Sequence, residues 1–279
     1  MAIPILNTWK KYFYESRDEG LGSSYERVIL NIKLEETCEQ FGVQSILEAP
    51  TFGFTGLSGI NSLYMAQQGC RVSLLDHDIN RIGLIQSIWD EVKQPVDAKY
   101  IEDYSQLPYP DDSFDFSWNF SALWFIQSLR RFLQELTRVT SKVIMLCVPN
   151  RVGIGYITQK YFGQDELKLY LKEEYILPKN FCKEMKSLEW KLIETNFIDC
   201  PPWPDIGMPK EAFFAKFGLH WILKCQKETK EALTIMDFYL SKERNFLDKM
   251  KKYYWFEKIA PWIIKRFWAH HQYFIFTPR

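Results

Sequence analysis

The chain has 279 residues, with 35 Lys and Arg against 35 Asp and Glu. A balanced charge gives no global field to draw in a polyanion, so nucleic acid is disfavoured as the main partner. With 47% apolar and 25% charged residues, the chain can bury the core of one large α/β domain carrying insertions or a helical cap.

Residues 1–44 read as a polar, amphipathic helical cap. Gly20 to Ser24 breaks the run, and Ser24 is placed to cap a helix whose Tyr25, Val28, Ile29 and Ile32 share one face. Ser45 to Ala49 is a short apolar strand ending in Glu48. The uncharged, Gly-bearing stretch from Pro50 to Gly59 is a loop, and a helix follows from about Ile60 to Gln68, stopped by Gly69. A second strand, Arg71 to Asp76, again ends in an acid. Strand, Gly-rich loop, helix and strand in that order predict a parallel sheet with a right-handed crossover.

The alternation continues. A helix is expected from Ile79 to Val92, a strand from Lys99 to Glu102 and another from Phe114 to Trp118. Residues 127–138 form a helix with Leu129, Phe132, Leu133, Leu136 and Val139 on one stripe. Val143 to Val148 is a fifth strand. A helix near 179–188 and a strand near 190–198 extend the sheet, helices fill 209–268, and Tyr273 to Phe276 is the last strand. The fold class is therefore α/β: a Rossmann-like, doubly wound, mostly parallel seven-stranded sheet with helices on both faces. Residues 45–200 form its core, and 201–279 are a helical insertion plus the final strand.

In such a sheet ligands sit beyond the carboxyl ends of the strands. Glu48, Asp76, Asp103 and Asn119 follow strands one to four and line that rim. A carboxylate after strand two suits ribose hydroxyls, one after strand three suits an adenine amino group, and glycines let a backbone approach the ligand closely. The loop holds no Lys or Arg, which favours a sulfonium ligand over a pyrophosphate, although backbone amides also bind pyrophosphate.

The segment from Glu102 through Asp103, Tyr104 and Leu107-Pro108-Tyr109-Pro110-Asp111-Asp112-Ser113-Phe114-Asp115 resembles the acid and "LPFPDNSFD" stretch of the class I S-adenosylmethionine-dependent methyltransferases (methyltransferase type 11). Arg71 to Asp78 and Arg138 to Asn150 resemble that family's second and fifth strands. The resemblance covers about residues 45–150, and more loosely 151–200. It implies S-adenosyl-L-methionine as cofactor, with Asp76 and His77 at the ribose, and Asp103 and Tyr104 at the adenine. It also places Glu48, Ala49 and the loop glycines Gly53, Gly56 and Gly59 at the methionine portion, and Asn119 and Phe120 near the transferred methyl. One departure stands out: the loop is longer than the family's, and Pro50 occupies the first glycine position.

The expected activity is methyl transfer to a small-molecule acceptor. The alternatives are a methyltransferase fold that binds without catalysis and, on the Tyr156/Lys160 pair of short-chain dehydrogenases, an NAD(P)-dependent oxidoreductase. Tyr25, Glu26, Tyr156 and His220 are undistinguished candidates for a base. Asp199-Cys200-Pro201-Pro202-Trp203 is read as a stiff connection rather than a catalytic motif, and His270-His271 as partly buried polar residues. Metal binding is not expected, because no Cys or His falls at ligand spacing.

Six scattered cysteines and a short N-terminal apolar run point to a reducing, cytoplasmic setting. No uncharged apolar run approaches the roughly 18 residues of a membrane span. The aromatic, Lys-rich stretch from Lys249 to Trp268 reads first as helical core. An acceptor lid and a peripheral membrane contact stay open beside it.

Overall fold

A computed structural model describes residues 9–14, 17, 20–51, 56–162, 172–203, 235–243 and 245–279. Its centre is a seven-stranded sheet of β1 (Ser45–Glu48), β2 (Arg71–Asp76), β3 (Asp97–Tyr100), β4 (Phe114–Phe120), β5 (Thr140–Pro149), β6 (Trp190–Ile198) and β7 (His271–Pro278). The order is β3-β2-β1-β4-β5-β7-β6. β7 runs antiparallel to both of its neighbours, and the other pairings are parallel. The order reverses between β1 and β4, so the ligand-binding crevice of such a sheet falls at their carboxyl ends.

Alternation along the buried strands divides the core. Phe116, Trp118 and Phe120 of β4, with Val143, Met145 and Cys147 of β5, pack against α2 (Gly20–Phe41) and α4 (Ile79–Glu91). Ile144, Leu146 and Val148 pack on the opposite face, against α5 (Leu129–Val139) and α7 (Pro178–Ser187). The expected stripe on α5 is buried in full, and each Leu or Phe so placed contributes about 1.5–3 kcal/mol. Ser128 caps this helix through the Arg131 amide, and Asp78 caps α4 through the Asn80 amide at 2.9 Å.

Three expectations need correction. α2 begins at Gly20 and runs unbroken, so Ser24 lies inside the helix and is buried rather than capping it. β3 occupies 97–100, not 99–102, because it pairs with Ser73 to Asp76. The Ile101 amide makes the closing bond to the Asp76 carbonyl (2.9 Å), and the chain then turns. The helix after the loop is only α3 (Leu63–Gln67). The remaining helices are α1 (Trp9–Tyr14), α6 (Ile154–Phe162), α8 (Ile235–Tyr239), α9 (Phe246–Lys251), α10 (Tyr254–Ile259) and α11 (Trp262–Trp268). Among the described residues, no helix is long and apolar enough to cross a membrane.

Gly59 links the loop to this core. Its φ is +74°, the Trp89 indole donates to its carbonyl at 2.8 Å, and a Cβ there would lie 2.6 Å from Ile85. Gly59→Ala is expected to cost about 1–3 kcal/mol through backbone strain and overpacking. An unchanged thermal midpoint would contradict this packing role.

Candidate functional site

β1 delivers Glu48 to the rim, fully buried. Its carboxylate accepts from the Asn61 amide (2.9 Å) and the Ser62 hydroxyl (2.6 Å), and Ser62 accepts in turn from the Trp118 indole (3.0 Å). Arg27 of α2 donates to the Asn61 side-chain oxygen and to the Leu57 carbonyl, both at 2.6 Å. Burial pushes the Glu48 carboxyl up to about 7, and the Ser62 and Asn61 bonds and the Arg27 charge restrain the rise. In this structure Glu48 therefore organises the loop and the start of α3. Ala49 is buried beside it. Gly56 has a φ of +101°, Gly59 is a packing position, and Gly53 lies outside the described residues.

Asp76, also fully buried, has both oxygens engaged from within the chain. Arg81 of α4 forks onto it at 2.6–3.1 Å, Thr51 donates its hydroxyl at 2.6 Å, and the Asp78 amide donates at 2.8 Å. His77 stacks on Phe125 at 5.6 Å and approaches the Tyr104 hydroxyl at 3.3 Å. Burial lowers the His77 pKa.

After β3 the two expected adenine residues diverge. Asp103 is exposed, and its carboxylate accepts the Ser105 amide at 2.8 Å, as a turn residue does. Tyr104 is buried, with its amide held by the Gln127 side chain (3.2 Å).

Asn119, next to the carboxyl end of β4, is fully buried, yet neither end of its amide has a hydrogen-bond partner. The buried hydroxyls of Ser58 in the loop and Ser121 just after β4 are in the same condition. Buried polar atoms without partners are costly and rare. Three of them around the β1–β4 crevice are what a polar ligand would satisfy.

A second cluster joins this rim through the antiparallel strand. β7 starts where β5 and β6 end: His271 pairs with Pro149 and with Ile198. The His270 Nδ1 lies 2.5 Å from the Asp199 carboxylate, and the His270 amide donates to the Asp199 carbonyl at 3.0 Å. His271 packs on Phe120 at 4.4 Å, and its Nδ1 is 3.6 Å from Glu26 of α2. Glu257 of α10 accepts from the Tyr25 hydroxyl (3.0 Å) and the Cys200 amide (2.9 Å). All five of these carboxyl and imidazole groups are buried.

Burial pushes Glu257 up to about 7 and raises Glu26 well above the usual carboxyl range, and Asp199 adds to both shifts. Glu26, Asp199 and His270 bring one potential ligand atom each within 4.8 Å of one another, a set that suits a divalent ion. The direct Asp199–His270 contact is instead the carboxylate–imidazole arrangement that orients a base.

The two histidines are buried outright rather than partly, and Asp199 is more than a connection. The residue types were visible in the sequence. Their meeting depends on a β6–β7 register that local pattern does not encode.

Tyr156, which is buried, and Lys160 both bind Glu173, at 2.9 and 2.6 Å, as a partly buried strut. A cleft of about 350 Å³ has Pro149, Asn150, Phe197, Trp262 and Gln272 among its walls and is lined by none of the second cluster's carboxyl or imidazole groups. A cleft of about 500 Å³ lies at the opposite, amino edge of the strands, by Ser45, Arg71 and Phe114, away from these groups.

Residues 54–144 match the family model described as a methyltransferase domain. No curated protein matches by sequence. Among solved structures, the fold is similar to YcgJ of Bacillus subtilis, with a TM-score of 0.51 at 12% identity, over 90% of this chain and 98% of that one. A candidate sarcosine dimethylglycine methyltransferase from Galdieria sulphuraria gives 0.51 at 12%, over 88% and 84%. The [4+2]-cyclase SpnF gives 0.51 at 13%, over 89% and 80%. At these identities the structures speak for fold alone. The chain thus has a methyltransferase-type fold, as the resemblance implied, with residues 54–144 matching the domain model, and a cyclase is among the proteins that share the fold.

Glu48 and Glu257 both hold their protons to about pH 7 in the folded chain, against an ordinary carboxyl value of 4.5. The native state therefore binds more protons than the unfolded state between these limits. The associated stability is complete below about 4.5 and is lost as pH rises to about 7, by an order of 3 kcal/mol per group. Urea unfolding at pH 5 and pH 7.5 is expected to show a smaller difference for Glu257→Gln than for wild type. Equal differences would exclude Glu257 as a source.

Proposed function

We propose that the protein is an S-adenosylmethionine-dependent methyltransferase acting on a small acceptor that surrenders a proton. The observation that carries this reading is Asn119, with both ends of its buried amide unsatisfied beside the β1–β4 crevice. The unsatisfied Ser58 and Ser121 hydroxyls support it, as does the methyltransferase-domain match over 54–144.

In this reading Asn119, Ser58 and Ser121 hold the polar parts of the cofactor, and Glu48 fixes the loop beneath it. Phe120 and Gly56 bound the reacting end. Asp76 faces the ribose, with the Thr51 hydroxyl as the most easily displaced of its present donors. The cofactor supplies an activated methyl on a sulfonium centre, so the protein's work is alignment, exclusion of water and disposal of a proton. Asp199 holds His270 through Nδ1, and this buried carboxylate–imidazole pair, with Glu26 beside it, is the group proposed to take up that proton. Tyr25 and Trp203, in edge contact at 5.5 Å, help to shield the cluster from water. The described cysteines are all free, which supports a reducing, cytoplasmic setting.

A second reading rests on Asp76. A carboxylate already filled by Arg81, Thr51 and a backbone amide is poorly prepared for ribose, and this favours a protein that keeps the fold without the transfer. Calorimetry with S-adenosylmethionine and S-adenosylhomocysteine separates the two readings. Binding is expected for wild type, with Asn119→Ala at least about tenfold weaker, a change of about 1.4 kcal/mol. Folded wild type that binds neither ligand at about millimolar concentration, a limit near −4 kcal/mol, would favour the second reading. If binding holds, Asp199→Asn is expected to leave affinity unchanged and to shift the pH profile of turnover once an acceptor is found.

A further inference from the structure

The stretch from Lys251 to Phe267 departs most from an ordinary helical core. α11 leaves Trp262, Ile263, Ile264 and Phe267 exposed, and Trp255 and Ile259 of α10 continue the surface. Ile259 and Ile263 are 67% and 62% exposed. Single exposed apolar residues need no explanation, but a contiguous group does. The expectation of core holds only for the inner residues of this stretch, such as Tyr253 and Tyr254, which pack against the main cluster.

The exposed side is held firmly from behind. The Asn150 side chain donates to the carbonyls of Arg266 and Ala269, both at 2.8 Å. The Trp268 indole donates to the Pro201 carbonyl at 2.7 Å, and Trp262 rests on Phe197 at 5.7 Å. α6 packs beside α11 and adds exposed Ile154, Ile157 and Tyr161.

Cations are set among these rings. Lys252 lies over Tyr253 (4.7 Å), Lys258 over Tyr254 (5.0 Å) and Arg266 over Trp262 (5.4 Å). Lys251, Lys252, Lys258 and Arg266 enter no ion pair among the described residues. The one acid between them, Glu257, is buried and turned inward to Tyr25 and Cys200.

We propose that the α10–α11 face docks on an anionic lipid surface. Tryptophan, isoleucine and phenylalanine would enter the acyl boundary while lysine and arginine reach the phosphates, a pairing typical of helices that lie in a bilayer interface. A second copy of the chain fits this face less well. A two-fold contact would set the same cations against themselves with no exposed acid in the stretch to offset them. The docking does not depend on the methyl-transfer reading.

The test is flotation of cofactor-free protein with vesicles of phosphatidylcholine alone, or with about 30% phosphatidylglycerol, at salt of about 50 and 500 mM. Binding is expected on the anionic vesicles at low salt and at least about tenfold weaker at high salt. The double variant Ile263→Glu, Phe267→Glu is expected to lose at least about tenfold with its thermal midpoint unchanged, because both side chains are exposed. Lys258→Glu is expected to weaken binding to the anionic vesicles.

Folded wild type that stays off anionic vesicles at low salt would overturn the proposal. So would variant binding equal to wild type. A dimer in sedimentation equilibrium that Ile263→Glu dissociates, with no lipid binding, would assign the face to a second copy instead.

Discussion

Arg27 reaches from the long N-terminal helix α2 into the loop after β1, and its two bonds to Leu57 and Asn61 tie together parts that the rest of the site depends on. Through Asn61 it orients one donor of Glu48. Glu48 in turn holds Ser62, and Ser62 receives the indole of Trp118 from the neighbouring strand. A buried guanidinium and a buried carboxylate are each costly in isolation. Here they share neutral intermediaries, so neither is left without partners. The crevice thus has a preset wall before any ligand arrives, and α2 belongs to the site as much as the sheet does.

The same economy shapes the second strand end. Asp76 meets Arg81, five residues ahead on α4, because Asp78 caps that helix and turns its first residues back over β2. Capping chemistry and site chemistry are therefore linked: the turn that starts the helix also brings in the guanidinium. Asp103 shows the contrasting case. With no such turn over it, it stays in solvent and bonds only to its own loop.

Much of the fold was legible in the sequence. The five-residue stripe of α5, the span of β6 and the acid at the end of β2 follow from period and burial alone. Boundaries shifted where a neighbour decided them, as when β3 took its register from β2. Ser24 looked like a cap because Gly20 and Gly22 looked like breakers, yet with Tyr25, Val28 and Ile29 packed in the core the helix starts at Gly20 and runs on through Gly22. The rim acids of the site were visible one by one. What each one touches was not, since Arg27, Arg81 and Thr51 reach them through tertiary geometry. Asp199 and His270, and the outward face of α11, were hidden for the same reason. Composition gave aromatic and basic residues without saying which side they would take.

The sheet order has a further implication for how the molecule loses its function. The crevice by Glu48, Asp76 and Asn119 is built on parallel strands at the centre of the sheet, flanked by pairing on both sides. The Asp199–His270 pair hangs on β6 and β7, an antiparallel edge unit contributed by the last third of the chain. Edge units open more readily than central ones. A partial opening there would separate the imidazole from its carboxylate while the central crevice stayed formed. The two halves of the site would then fail at different temperatures and denaturant concentrations, with the edge half failing first.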